Sequence, residues 1–556
     1  MNCEIRKKTA ACIFAAFCFS AFCQNNSAVS EDEQIILPEV TTTVSGDSLS
    51  AGKDALPDFS KIIPAAPSGK DVLPKLPGLV AVTAEEEPVA DLGEDSVRSV
   101  YAQGLIGCGF PGYFKGDFSI YKSSGDEPFM LKFLHESENG YGLNSAGDGY
   151  FDANTALFGE KTLSFDKITL DLNAGYETLT YGLQGKSPFF YDLNQRFFST
   201  DNKFAWKIGH GFGLDFKLSG SFYSRYAGVP DIEIATEKLP VRSESADVFY
   251  LNPGARFFWQ GKYFSAGLSA SYDFESAFGE SNYSSQSVNR GVFILDADWK
   301  NSFLSAGAGG GVVVGTSIGE NSVVPVFDIS FGAKWMTPLS KRPLELSLAG
   351  GIKSSHSTYA QSEREYAYSA ADSLDSETTD WFADFKAAVP VSSVLNLDLL
   401  AQFKKTAFGN GAREADYSSE SEWGLYSFEK NERTLFTTEV SLSYVWKTFN
   451  FSAGWNSHWM HVPSNEYANS VKADISFQSQ NGIWGFSAAL EEFLGEGSDV
   501  VPVIGGTVFY KIHDSIRLTA ELDDLVKLFA GDDRTYFGNK YIKNSGSANI
   551  SVRFFF

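Results

Sequence analysis

Cysteine, positive charge and long apolar runs are scarce in this 556-residue chain, and each shortage excludes a class of protein. Four of the five cysteines lie within the first 23 residues, so Cys108 alone remains beyond them and no internal disulfide can form if cleavage follows Cys23. The net charge of -24 excludes general affinity for nucleic acid, which needs a basic face. No later stretch approaches the ~18 continuous apolar residues that a membrane-spanning helix needs.

The first 23 residues have the pattern of a secretory signal peptide. Arg6, Lys7 and Lys8 precede an apolar run from Ala10 to Phe22, which is too short to span a membrane as a helix. We therefore expect export of the chain and removal of residues 1–23. Lipid modification of Cys23 is the alternative, although Phe22 is larger than the residue that normally precedes a lipidated cysteine.

Residues 24–97 differ in composition from everything that follows. They hold seven prolines and the acidic run Glu85–Glu87, with too little apolar periodicity for a packed domain. We predict an extended, largely unstructured periplasmic arm.

Beyond residue 98, apolar and polar residues alternate with a period of two. Leu395, Leu397 and Leu399, for example, are interleaved with Asn396 and Asp398. This alternation is typical of β-strands with one apolar face, in a soluble sandwich or in a membrane barrel. The 48 Phe, 24 Tyr and 51 Gly also favour short aromatic-rich strands over helices.

The spacing of the turns separates these two alternatives. Tight polar turns recur every 32 to 56 residues, which leaves room for two strands and one longer loop between them. Short turns on one side and longer loops on the other are characteristic of transmembrane barrels, so the short side should face the periplasm. The nine turns lie at 166–167, 209–210, 261–262, 300–301, 341–342, 392–393, 447–448, 481–482 and 513–514.

Six tryptophans lie within six residues of these turns, which predicts an aromatic girdle at one membrane interface. They are Trp206, Trp259, Trp299, Trp335, Trp446 and Trp484. The alternative explanation is that tryptophan is common at strand ends in any β-sheet.

The turns also give a strand count. They delimit 19 strands from about residue 150 onward, and 99–109, 113–122 and 128–137 add three more. The fold class is therefore all-β, a large antiparallel transmembrane β-barrel of about 22 strands (20 to 24) over residues 98–556. An even number places both barrel ends on the periplasmic side.

The end of the chain supports membrane insertion. Ile550, Val552, Phe554 and Phe556 share one face of a final strand and resemble the C-terminal signal by which Gram-negative outer-membrane proteins are recognised for insertion. That resemblance implies two partners, the barrel-assembly machinery and outer-membrane lipid, and a location in the cell outer membrane.

At this strand number, residues 98–556 resemble the barrel of TonB-dependent outer-membrane receptors. Leu518–Leu525 followed by Tyr541–Phe556 is similar to that family's closing hairpin, with a tight turn and a final strand rich in small residues. The glycines around Pro111 and the stretch Phe151–Gly159 resemble short, plug-poor relatives of these receptors. The resemblance implies a transporter, but the family's plug of about 130 to 150 residues has no counterpart of that length here.

One short segment of the arm faintly resembles a TonB box, an extended stretch that pairs with a strand of a periplasmic partner. The alternative is a β-prone piece of linker. The segment is Glu39, Val40, Thr41, Thr42, Thr43 and Val44.

Catalytic, cofactor and metal motifs are missing from the sequence. His458 and His461 lie three apart, which on a strand sends them to opposite faces, and no nucleophile elbow, phosphate loop or zinc pattern occurs. We expect no enzyme activity and no cofactor. Two functional classes remain open: a transporter or porin-like channel for an unidentified solute, and a structural barrel whose arm docks an envelope partner.

Without a plug, a barrel of this size encloses a wide lumen. We expect it to be hydrated by inward-facing charged groups. Loops 360–380 and 411–433 are the external loops long enough to fold into it, and the arm threading into the lumen is the alternative. The inward-facing groups are Asp171, Glu177, Asp215, Lys217, Asp328, Lys334, Asp398, Lys404, Glu439 and Arg553. The acidic residues of the two loops should be solvated rather than gather cations; they are Glu363, Glu365, Asp372, Asp375, Glu377, Glu414, Asp416, Glu420 and Glu422.

Overall fold

The fold is seen in a computed structural model of the chain. It describes residues 100–122, 127–140, 149–187, 190–228, 245–278, 286–317, 320–336, 342–369, 374, 377–409, 412–420, 425–499 and 501–556. The predicted signal peptide, the arm and the segment Glu39–Val44 lie outside these residues.

Twenty-two antiparallel strands form one sheet, and four shorter strands and two short helices lie in its loops. The barrel strands are β1 Tyr101–Phe110, β2 Tyr113–Lys122, β3 Phe129–Asn139, β4 Phe151–Ser164, β5 Ile168–Gly182, β6 Asp192–Gly209, β7 Phe212–Gly228, β8 Ala246–Gln260, β9 Phe264–Phe278, β10 Ser287–Lys300, β11 Leu304–Ser317, β12 Glu320–Met336, β13 Pro343–His356, β14 Glu377–Pro390, β15 Leu395–Gly409, β18 Thr434–Trp446, β19 Phe449–His458, β20 Asn469–Gln478, β21 Trp484–Leu494, β22 Val503–His513, β23 Ile516–Asp523 and β26 Ser547–Phe555. The loop elements are α1 Tyr359–Glu365, β16 Ala412–Glu420, β17 Tyr426–Asn431, α2 Leu525–Ala530, β24 Arg534–Tyr536 and β25 Asn539–Asn544.

The sheet closes on itself because the first strand pairs with the last. Strand β1 runs antiparallel to β26 from Gln103 opposite Phe555 to Phe110 opposite Ala548. Two further hydrogen bonds join Ala102 and Phe556, each backbone N–H donating to the other's carbonyl at 3.3 and 2.8 Å. Both ends of the barrel wall therefore meet at one rim, and the predicted closed barrel of 22 strands is confirmed.

Alternate residues of each strand face outward and form an apolar belt. Phe293 and Leu295 of β10, and Ile329 and Phe331 of β12, are all exposed. An exposed apolar surface of this extent is stable only against lipid, because water would disfavour it. The C-terminal residues Ile550 and Phe556 are also exposed on this outer face.

The six tryptophans predicted to form an interfacial girdle lie at the turn-bearing rim. All six occupy outward positions of their strands, and Trp206, Trp299, Trp335, Trp446 and Trp484 are exposed. An indole ring prefers the interface between lipid and water, so they mark one edge of the membrane. We call this rim the short-turn end and the opposite rim the long-loop end.

The turn pattern predicted from the sequence agrees with the structure, because all nine turns lie at junctions between consecutive barrel strands. The prediction of the closing hairpin was wrong in one respect. Tyr541–Phe556 is not one strand: it is broken at Ser545–Gly546, and residues 524–546 form a separate lobe containing α2, β24 and β25. Gly546 has a positive φ of 77° and ends this lobe, and an added Cβ there would lie 2.4 Å from the carbonyl oxygen of Asp524.

Neither of the helices that the structure describes is long and apolar enough to cross a membrane. 

Two adjacent residues of β12 test which face meets lipid. Phe331 is 58% exposed on the outer face, and Ser330 faces the interior. We expect Phe331→Arg to lower the free energy of unfolding by about 2–4 kcal/mol, because a guanidinium is costly at the lipid face. Ser330→Arg, in the polar interior, should cost less than about 1 kcal/mol. Urea unfolding in lipid vesicles, followed by tryptophan fluorescence, measures both; equal costs would contradict the assignment of faces.

Candidate functional site

The barrel interior has two different parts. Towards the short-turn end, inward-facing side chains of opposite charge pair between adjacent strands or across one intervening strand and leave a polar wall. The pairs are Lys203–Asp215 at 3.3 Å, Lys217–Asp201 at 3.0 Å, Arg256–Asp296 at 2.7 Å and Lys334–Glu345 at 2.5 Å. A recess of about 660 Å³ lies on this wall beside Lys334, Lys386 and Glu439. Such pairs are water-exposed and stabilise little, so this half is a hydrated vestibule.

The long-loop end is filled by the chain itself. The segment between β13 and β14 carries α1, which packs against the inner wall formed by β7–β10. A capping box begins the helix: Thr358 Oγ1 accepts from the backbone N–H of Gln361, and the Gln361 side chain accepts from the N–H of Thr358. This reciprocal cap fixes the start of a helix that is too short to be stable alone.

A fully buried ion pair anchors α1 to the wall. Glu363 of α1 contacts Arg225 of β7, and neither side chain is exposed to solvent. Tyr223 Oη donates to the other carboxylate oxygen of Glu363 at 2.5 Å. Arg364 forms a second ion pair with Glu177 of β5 and stacks over the ring of Phe197 at 4.5 Å. Because a buried carboxylate is costly unless it is paired, these contacts define one position for α1.

The two strands that flank α1 are tied to the same wall. Arg290 of β10 contacts Asp273 at 2.7 Å and Glu377 at 3.2 Å. Glu275 of β9 accepts from the backbone N–H of Tyr359 at 2.7 Å, and its other oxygen lies 3.2 Å from His356 Nε2. The loop is therefore anchored before, within and after α1.

A cluster of tyrosines joins α1 to the other long loops. Tyr368 lies 5.3 Å from Tyr181 of the wall and 5.4 Å from Tyr541, measured between ring centroids. Tyr426 of β17 packs against Tyr541, and its hydroxyl accepts from the backbone N–H of Lys540 at 3.0 Å. Aromatic pairs of this kind add ~0.5–1.5 kcal/mol each beyond the area that they bury. Four segments of the chain thus share one core across the mouth of the barrel.

The lobe 524–546 is held by its own ionic contacts. Arg534 is buried, pairs with Asp524 at 2.7 Å, and donates to the carbonyl of Val501 at 2.6 Å. Lys527 pairs with Asp499 at 2.8 Å. Burial alone would raise the pKa of Asp499, but the hydrogen bond and charge of Lys527 and the charge of Arg534 outweigh it and hold that pKa below its usual range. This contact adds stability at neutral pH and loses it as the pH falls through the lowered pKa.

At the end of α1 the pKa of a carboxyl group is shifted in the opposite direction, upward. Burial raises the pKa of Glu365, and the nearby charge of Arg433 only partly opposes the rise. Its ionised form is therefore disfavoured in the folded loop, in contrast to Asp499.

We define the loop plug as residues 357–369, 412–420, 425–433 and 524–546, which together fill the long-loop end. The sequence identified two of these loops by length and missed the third, 524–546, because it was interpreted as a hairpin. The prediction of solvated acidic loops was wrong for Glu363, Glu377 and Glu414. Each of them instead pairs with an arginine: Arg225, Arg290 and Arg433 respectively.

The two histidines considered for a shared metal site contact different carboxylates. His458 ends β19 and lies 2.5 Å from Glu466, whereas His461 in the following loop lies 2.8 Å from Glu414. Within the parts of the chain that the structure describes, no three metal-binding side chains are grouped to hold an ion.

The inward-facing charges predicted from the sequence lie on the inner wall. Glu177 contacts the loop plug, and Asp215, Lys217 and Lys334 belong to the paired wall of the vestibule. Arg553 lies near the short-turn end of β26, opposite Arg517.

Comparison with solved structures identifies the fold. The FrpB iron transporter from Neisseria meningitidis (F3-3 variant) aligns with a TM-score of 0.60 over 84% of this chain and 82% of its own, at 8% identity. The copper transporter OprC aligns with a TM-score of 0.59 over 82% of both chains, at 10% identity. The barrel has the fold of TonB-dependent outer-membrane receptors.

A third receptor-fold structure aligns equally well. The ferric enterobactin receptor PfeA of Pseudomonas aeruginosa, as a double mutant, has a TM-score of 0.60 over 82% of this chain and 80% of its own, at 10% identity. The sequence itself matches no protein-family model and no curated protein. At such low identity the likeness establishes the receptor fold alone.

The buried anchor of α1 gives the second prediction. Glu363→Gln removes the negative charge that contacts the buried guanidinium of Arg225, which should cost about 3–5 kcal/mol locally. Amide hydrogen exchange at 357–369 should accelerate strongly. As a control, Lys334→Gln removes a pair whose side chains are 59% and 50% exposed, and it should leave exchange in the loop plug unchanged. Unchanged protection in Glu363→Gln would contradict the anchoring role.

Proposed function

We propose that the protein is an outer-membrane transporter barrel whose passage is closed by its own loop plug. The observation that carries this proposal is the division of the interior: a hydrated, charged vestibule below and a core of buried ion pairs and tyrosines above. A purely structural barrel would not need a polar vestibule beneath a seal that is fixed by a few charged anchors.

The physical chemistry of the seal supports movement rather than permanent closure. Its contacts with the wall are concentrated in ionic anchors, of which Arg225–Glu363 and Arg290–Glu377 are the most buried. Such a contact is strong only while both partners keep their places. A solute or a partner that displaces one anchor would therefore weaken the docking of that loop segment.

The orientation belongs to the same proposal. The long-loop end faces outward, and the short-turn end, where β1 begins and β26 ends, faces the periplasm. Residues 24–97 are then a periplasmic arm, whose segment Glu39–Val44 would pair with a TonB-like partner by strand addition. Iron, copper and ferric enterobactin are named for the similar structures.

Conductance tests the proposal directly. The purified chain in planar bilayers should show little conductance, and Glu363→Gln or Tyr359→Ala should raise it several-fold, because either change loosens α1 from β7–β9. Lys334→Gln is the matched control and should stay closed. Absence of conductance in both loop variants, with and without residues 24–97, would overturn transport through the lumen.

A further inference from the structure

One arginine lies on the outer, lipid-facing side of the barrel wall. Arg196 of β6 stands between Gln195 and Phe197, which both face the interior: Gln195 Nε2 donates to the carbonyl of Glu363 at 3.3 Å, and Phe197 packs under Arg364. Because side chains alternate along a strand, Arg196 points outward, and it is exposed. A guanidinium is costly in the middle of a bilayer and much less so at its interface, so the level of Arg196 in the membrane matters.

The position of Arg196 along its strand places it at the interface opposite the tryptophan girdle. It precedes Trp206 on β6 by ten positions. At about 3.3 Å per residue and a strand tilt of about 40°, ten residues rise ~25 Å, which is the height of the apolar band of a transmembrane barrel. Since Trp206 marks one edge of that band, Arg196 lies at the other edge, beside the long-loop end.

The outer face changes from apolar to polar at the level of Arg196. The outward row just below it is apolar from β3 to β7, each residue directly opposite the next: Phe133, Leu157, Tyr176, Phe198 and Phe222. The outward row that contains Arg196 is polar across the same five strands: His135, Thr155, Thr178, Arg196 and Ser224. A cation and hydroxyl groups therefore lie directly above a continuous row of apolar and aromatic side chains.

An aromatic ring, rather than a carboxylate, holds Arg196 in place. Its guanidinium carbon lies 4.9 Å from the ring centroid of Tyr226, and its Nη2 donates to Tyr226 Oη at 3.0 Å. Among the described residues, no carboxylate lies within ion-pair distance of Arg196, and Asp247 of the same row is separated from it by β7. In contrast, Lys161, an outward cation of β4 near the short-turn end, pairs with Glu127 at 3.1 Å.

We propose that Arg196 and Tyr226 bind the phosphate of a membrane lipid, whose acyl chains lie along the apolar row below them. Stacking on Tyr226 holds the guanidinium flat, and its forked donors match the geometry of a phosphate group. The Tyr226 hydroxyl accepts from Arg196 and still has its own proton to donate. A free phosphate ion would use only the polar row, whereas a phospholipid uses both rows. This site lies outside the lumen, so it does not rest on the proposed transport.

Native mass spectrometry of the full-length chain in detergent tests the site. The original chain should bind dimyristoylphosphatidylglycerol more tightly than dimyristoylglycerol, which has the same acyl chains and no phosphate. Arg196→Gln should raise the dissociation constant of the first bound phosphatidylglycerol about tenfold, the effect of losing one charged hydrogen bond. Arg196→Lys, which keeps the charge without the fork, and Tyr226→Phe, which keeps the ring without the hydroxyl, should each show a smaller loss. Lys161→Gln is the matched control and should leave this constant unchanged.

Three results would overturn the site. The first is equal affinity of Arg196→Gln and the original chain for phosphatidylglycerol. The second is an equal loss of dimyristoylglycerol in Arg196→Gln, which would show that the arginine supports packing and does not bind phosphate. The third is displacement of the phospholipid by millimolar inorganic phosphate, which would indicate a site for the free ion. Because lipid binding needs no open lumen, a barrel without conductance that still binds phosphatidylglycerol would refute transport and keep the site.

Discussion

Closure of the sheet between β1 and β26 is the constraint on which the rest of the molecule depends. In hydrocarbon an unpaired backbone N–H or carbonyl costs several kcal/mol, so a sheet can cross lipid only when it has no edge. The pairing of Gln103–Phe110 with Ala548–Phe555 removes both edges at once. Contact with hydrocarbon requires an apolar outer face. With 22 strands, the inward faces lie too far apart for side chains alone to fill the space between them.

Because the interior is wide, loop segments are needed to fill its long-loop end. A small barrel fills its lumen with wall residues, but here the wall residues of β5 and β7, such as Tyr181 and Tyr223, reach only the margin. The chain completes the core with segments from its long loops, and it uses charges to position them. Burying Arg225 with Glu363 is energetically close to neutral against an apolar pair, yet it specifies one docked position, because any displaced state leaves a buried charge.

Much of this barrel was predictable from the sequence because its period is simple. Each strand crosses the membrane once, so it shows alternating apolar and polar residues, a tight turn at one end and often a tryptophan beside that turn. These local sequence patterns were therefore enough to predict the number of strands and the two faces of each strand. The loop plug could not, since its contacts join residues far apart in the chain. Glu363 and Arg225 are separated by 138 positions, and no local pattern distinguishes an acidic residue in a solvated loop from one that meets a buried arginine. The lobe 524–546 was missed because, in the sequence alone, Leu518–Leu525 and Tyr541–Phe556 resemble two strands joined in one hairpin. The sequence pattern does not show that a folded segment lies between them.

The wall around the closing seam is also polarised along the barrel axis. Near the long-loop end, Glu138 lies opposite Asp152, and Glu521 and Asp523 face inward on β23. Near the short-turn end the same sector carries Arg517 and Arg553. The charged side chains of this wall therefore change sign along the barrel axis, from carboxylates near the long-loop end to guanidinium groups near the short-turn end.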